Sequence, residues 1–149
     1  MEHKTRYWVI AVSKNYLQNG IKGGYMQAND GKDAILEKLE KGDWLIFFSP
    51  KEVNGSNTAL QAFTGIGQVE DDDIYQSEPG NKRPYRRKVT FYKCEDVPAE
   101  SIVDRLSFVQ DKKGWEKVFR FGFFEIPEVD FETIKRAMLK GEQAETITL

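Results

Sequence analysis

Two hydroxyls, an amide, a tyrosine and a glycine pair form the densest group of chemistry-bearing residues in this chain. Ser13 closes the apolar run Tyr7 to Val12, and Ser49, followed by Pro50 and Lys51, closes a second run, Trp44 to Phe48. Between them lies Gly23-Gly24-Tyr25-Met26-Gln27-Ala28-Asn29. Where two strands end side by side, such residues offer hydroxyl and amide hydrogen bonds, an aromatic face and glycine-exposed backbone N–H groups. That combination suits a flat ligand with hydrogen-bonding edges, such as a base. It is poor equipment for bond breaking. The one histidine, His3, lies at the N-terminus, whereas acid–base chemistry near neutral pH most often uses histidine and a serine nucleophile needs a base within reach. Ser13 and Ser49 therefore read as binding or capping groups, with no catalytic residue expected. Cys94 lacks a histidine partner and reads as a core or edge residue. The run Asp71-Asp72-Asp73 lacks the alternating spacing of a calcium loop and reads as a solvated turn. No Cys/His cluster has zinc spacing, so neither metal nor cofactor is expected.

A second feature is the basic stretch Lys82-Arg83-Pro84-Tyr85-Arg86-Arg87-Lys88. It is either an ordinary solvated strand edge or a phosphate track, extended by Lys112, Lys113, Lys117 and Arg120. Tyr85, Trp115, Phe119 and Phe121 interleave with these cations, as single-stranded nucleic-acid surfaces require. Trp115 follows Lys-Lys-Gly and is a candidate rim residue. Trp8 and Trp44, mid-strand, are expected in the core, and Tyr25, behind two glycines, is the better stacking candidate.

The elements that must position these groups follow from the hydropathy pattern. Strands are expected over Tyr7–Val12, Trp44–Phe48 (buried on both sides), Leu60–Val69, Tyr85–Lys93 and Arg120–Ile126. In Tyr85–Lys93, Arg86, Lys88, Thr90 and Tyr92 share one face; Tyr85, Arg87, Val89 and Phe91 share the other. A first helix is expected from Ser13 to a stop at Gly20, and a second from Asp30 or Gly31 to Gly42. A third starts at Pro98, a short amphipathic piece runs through Trp115–Phe119, and a last helix after Pro127 carries Phe131, Ile134 and Met138 inward. Five or six strands with short helices at the ends suggest an α+β domain built on a small, partly closed barrel. The 149 residues suffice for one domain with a real core, and 31% charged with 40% hydrophobic residues is ordinary soluble composition. The net charge of −2 gives no general attraction to nucleic acid, so such binding needs a local patch. One cysteine excludes an intramolecular disulfide, no apolar run reaches membrane-span length, and the first residues lack a signal-peptide apolar region. A cytoplasmic location is the default expectation.

These blocks, in this order, resemble the EVE domain, within the PUA-like superfamily that also holds the YTH readers of methylated adenine. The resemblance is carried by Tyr7-Trp8-Val9 with Ser13, Gly23-Gly24-Tyr25-x-Gln27, Gly31-Lys32, Gly42-Asp43-Trp44, Phe48-Ser49-Pro50, Gln61-Ala62-Phe63-x-x-Ile66-Gly67, Arg86-Arg87-x-Val89, Leu106-Ser107-Phe108 and Phe119-Arg120-Phe121-Gly122-x-x-Glu125-Ile126. It spans about residues 6–139 within a single domain of residues 1–149. It implies a twisted, partly closed barrel whose mouth accepts a modified base flipped from DNA or RNA. Carried over by position, Ser13, Gly23, Gly24, Tyr25, Gln27, Ser49 and Pro50 would wall that pocket, with Arg120 and Gly122 closing one side. Arg87 would sit at the rim facing phosphate, with Arg86, Lys88, Lys51 and Trp115. The function so implied is base reading without chemistry. A nucleotide or small-molecule sensor using the same pocket, an RNA-processing enzyme of the PUA-like group and a protein-interaction module are the alternatives. The resemblance leaves DNA versus RNA, the modification and the oligomeric state open.

Overall fold

The computed structural model describes residues 4–27, 34–53, 55, 57–77 and 84–149. His3, Ala28, Asn29, the expected second-helix start at Asp30 or Gly31, Lys32, Lys82 and Arg83 lie outside them. Seven strands form one mixed sheet: β1 (Tyr7–Ala11), β2 (Tyr25–Gln27), β3 (Trp44–Lys51), β4 (Ala59–Gln76), β5 (Tyr85–Phe91), β6 (Val97–Pro98) and β7 (Phe123–Ile126). Their order is β2-β5-β4-β3-β1-β7, with β6 paired to the start of β4. β1 and β3 run parallel; the other pairs are antiparallel. No ladder joins β2 to β7 among the described residues. Among the described residues the sheet is an open path of seven strands, one more than the five or six expected, and it does not close into a barrel.

Alternation along the strands explains how one sheet supports two cores. Val9, Ile46, Phe48, Phe63 and Ile66 face a layer containing Ile102, Leu106, Phe119, Phe131, Ile134 and Met138. Trp8, Ile10, Leu45, Phe47, Val89 and Phe91 face the opposite layer, with Leu17 of α1 (Lys14–Gly23) and Leu36 of α2 (Ala34–Lys38). β3 is thus buried on both sides, as its unbroken apolar run predicts. β4 runs on to Gln76, past the expected end at Val69. The acidic residues Asp71–Asp73 sit inside this strand, at a register shift between Val69 and Ile74, and not in a free turn.

The helices differ in their ends. Ser13 occupies the N-cap of α1, but its Oγ donates to Asn15 Oδ1 at 2.7 Å rather than receiving a backbone N–H. Gly20 does not stop α1. It lies inside the helix, where a Cβ would come within 2.4 Å of the Tyr25 carbonyl oxygen. Gly24 ends the helix instead, in the left-handed conformation with φ +72°. The segment after Pro98 forms two 3₁₀ turns, Ala99–Ser101 and Val103–Arg105, rather than one helix. α3 covers Glu116–Phe119, and the last strand starts three residues later than expected, leaving Arg120 and Gly122 (φ +77°) in the preceding turn. α4 spans Glu128–Leu139 and buries Phe131, Ile134 and Met138 as expected. No helix among the described residues is long and apolar enough to cross a membrane.

Two buried carboxylates tie the layers together. Asp43 accepts the backbone N–H groups of Arg6 and Glu40 and the Trp8 indole N–H, each at 3.1 Å. Asp130 accepts the Ser107 N–H at 2.8 Å, the Ser107 hydroxyl at 2.7 Å and the Phe108 N–H at 3.1 Å. Both carboxylates are hydrogen-bonded at least three times, which is what burial of a carboxylate demands.

Candidate functional site

The expected pocket residues fall into two groups. The first lies where β1 and β3 end. The Val12 N–H donates to Phe48 O at 2.9 Å and the Asn15 N–H to Glu52 O at 2.9 Å, which holds Ser13 beside Ser49, Pro50 and Lys51. The Ala11 N–H donates to Gly122 O at 2.8 Å, bringing the Arg120–Gly122 turn to the same end. The hydroxyls here are spoken for: Ser49 Oγ shares a hydrogen bond with Thr64 Oγ1 at 2.6 Å, and both residues are buried. Pro50, Arg120 and Phe121 are exposed, and Lys51 is half-buried.

The second group lies on the β2–β5 edge. Register places Tyr25 opposite Lys88 and Gln27 opposite Arg86, so these four side chains share one face. Tyr75 of β4, opposite Arg86 on its other side, joins them. The Arg86 guanidinium carbon lies 3.7 Å from the Tyr25 ring centroid, and Arg86 Nε donates to Gln27 Oε1 at 2.9 Å. Burial pushes the Tyr75 phenol above its usual pKa, while the adjacent Arg86 pulls it back. The Gly-Gly-Tyr motif has a steric reason: a Cβ on Gly23 would lie 2.4 Å from Tyr25 Cε2, and Gly24 supplies the left-handed turn into β2. Tyr75 was not singled out from sequence because the acidic run before it reads as a loop. The usable signal is the alternation Ile74-Tyr75-Gln76 resuming beyond that run.

The two groups lie at opposite ends of α1. Ser13 precedes α1 and Tyr25 follows it, about 15 Å of helix apart at 1.5 Å per residue. Tyr25 also lies on the sheet face opposite to Met26 and Arg87, whereas Ser49 follows Phe47 on the Met26 side. A cleft of about 280 Å³ does open elsewhere, between α1 and the chain after β5, lined by Lys14, Leu17, Gln18, Thr64, Tyr92 and Cys94 among others. None of the expected pocket residues lines it. Cys94 there is half-buried, and burial pushes its thiol up to about 11.

Two expected rim residues are interior. Arg87 is 1% exposed; its Nη1 donates to the carbonyls of Leu36 and Leu39 at 2.6 Å each, and its Nη2 to the Asp71 carbonyl at 2.7 Å. It ties the end of α2 to the irregular stretch of β4 and faces no solvent. Its inward position follows from the strand alternation, and two of the three carbonyls that receive it come from residues 48 and 51 positions away. Trp115 is buried in the core against Phe119, ring centroids 6.0 Å apart, because the chain after Gly114 turns inward to build α3. Arg86 is half-buried and Lys88 exposed, so the cations available on this strand are the outward pair.

The chain matches known proteins over most of its length. It is 44% identical over 132 residues to the UPF0310 protein of Mycobacterium avium (strain 104), covering 88% of this chain and 96% of that one. It is 40% identical over 136 residues to the UPF0310 protein YdcG of Bacillus subtilis (strain 168), covering 90% and 92%. Its fold is similar to the YTH domain of Zygosaccharomyces rouxii MRB1, solved in complex with N6-methyladenosine RNA, at a TM-score of 0.59 and 19% identity, over 99% of this chain and 92% of that one. Residues 6–137 match the EVE domain, and with relatives at these identities the chain belongs to the EVE domain family.

Proposed function

We propose that this protein is a non-enzymatic nucleic-acid-binding module that takes one modified base of RNA or DNA at the β2–β5 edge. The observation that carries this is the cluster of Tyr25, Gln27, Arg86 and Lys88 on one open sheet face: a ring, an amide and two cations within a few strand positions. Tyr25 supplies the stacking face, Gln27 pairs with the base edge, and Lys88 and Arg86 meet phosphate. Two solved YTH domains of similar fold, one in complex with N6-methyladenosine RNA and one in complex with m6A, support this assignment.

The energetics favour a single-stranded or already unpaired target. Stacking contributes about 1–3 kcal/mol per base, while extrusion from a duplex costs a few kcal/mol. One methyl in a fitted pocket discriminates by about 10–200-fold. Fluorescence polarisation with short RNA and DNA strands carrying N6-methyladenine or adenine at one position tests the assignment. Tyr25→Ala is expected to remove the preference for the methylated base, and Lys88→Ala to weaken all strands alike. Equal losses in both variants on every strand would contradict a base site at Tyr25.

A further inference from the structure

The face of Tyr25 on which a base would stack is already occupied. Arg86 lies over it at 3.7 Å, a stacking distance for a planar cation on an aromatic ring. The same guanidinium donates to the oxygen of Gln27, the amide that would pair with a base edge. A guanidinium is flat, delocalised and rich in N–H donors. With Tyr25 and Gln27, Arg86 therefore makes the two contacts that a base would make: a face on the ring and a donor to the amide oxygen. We propose that Arg86 is a built-in occupant of the base site, and that a base enters when a phosphate draws the guanidinium off Tyr25. This inference rests on the binding function proposed above and specifies how its site is regulated.

Three features of the strand make the exchange local. Arg86 is half-buried on the outward face, so its side chain has room to turn towards solvent. Phosphate is a stronger partner for a guanidinium than a neutral amide, because it is charged and accepts two parallel hydrogen bonds. Arg87, the next residue, is fixed by three carbonyls and cannot follow, so the backbone of β5 stays in place. The consequence is selectivity for polymer over metabolite. A free nucleoside has no phosphate to hold the displaced guanidinium, whereas an oligonucleotide brings the base and the phosphate together.

Binding of N6-methyladenosine nucleoside and of a short single-stranded RNA carrying that base, measured across salt concentrations, tests this. Arg86→Ala is expected to bind the nucleoside about 2- to 30-fold more tightly than wild type, the range a lost ring–cation contact allows. Its salt dependence on the oligonucleotide should fall by about one phosphate contact. Arg86→Lys, which keeps the charge and loses the flat stack, should gain on the nucleoside and keep the salt dependence. If wild type binds the oligonucleotide through Tyr25 but Arg86→Ala binds the nucleoside no better, the inference is overturned and the binding function stands. If Tyr25→Ala leaves oligonucleotide binding unchanged, the base site itself is overturned, and this inference falls with it.

Discussion

Arg86 and Arg87 are neighbours with opposite fates, and the pleat alone decides between them. Arg87 points inward, and its guanidinium satisfies two carbonyls at the end of α2 and one in β4. Arg87→Ala leaves those acceptors buried without a donor, so a loss of about 3–5 kcal/mol in folding stability is expected from urea denaturation. Arg86→Ala removes one half-exposed ring–cation contact and is expected to cost about 0.5–1 kcal/mol in the same assay. Equal losses for the two variants would contradict this division. The alternation that separates them was legible in the sequence; the depth was not. A period of two shows which residues share a face but not whether a helix from elsewhere covers it, and two of the three carbonyls that receive Arg87 lie at the end of α2. Trp115 escaped for a similar reason. Its basic, glycine-bearing flank reads as a rim, while the ring that buries it, Phe119, is placed by a four-residue helix.

At the scale of elements, α1 shows how the start of a helix can be legible while its end is not. Ser13 marks the start of α1 as its N-cap, although its hydroxyl bonds to a side chain. Gly20 reads as a stop because glycine commonly ends helices. In the fold its missing side chain makes room for the Tyr25 carbonyl, and Gly24 terminates the helix. This sets the sign of a substitution. Gly→Ala inside a helix ordinarily stabilises by about 0.5–1 kcal/mol. Gly20→Ala is expected instead to destabilise by about 1–3 kcal/mol, since a Cβ 2.4 Å from a backbone oxygen forces α1 and β2 apart. A thermal melt showing Gly20→Ala more stable than wild type would contradict the tight α1–β2 approach. Central strands and the final helix were legible because long apolar runs and a 3.6-residue period leave few alternatives. The acidic stretch of β4 was not, because its pairing depends on a strand register that no local pattern encodes.

For the whole molecule, the sheet separates the two groups of residues that the family pattern suggests as one pocket. The strand-end group around Ser13 and Ser49 is internally hydrogen-bonded, and the β2–β5 edge carries the open ring, amide and cations. With a net charge of −2, attraction to nucleic acid has to come from this local patch. A strand held by these two cations gives an expected slope of about −1.4 in log K against log salt, at about 0.7 per contact for single strands. A slope near zero would exclude phosphate contact. The most direct measurement is a ¹H–¹⁵N correlation titration of the labelled protein with a short single-stranded RNA bearing one N6-methyladenine. The account predicts that amide shifts concentrate at Tyr25–Gln27, Tyr75 and Arg86–Lys88. Shifts confined to the ends of β1 and β3, or an unchanged spectrum, would contradict it.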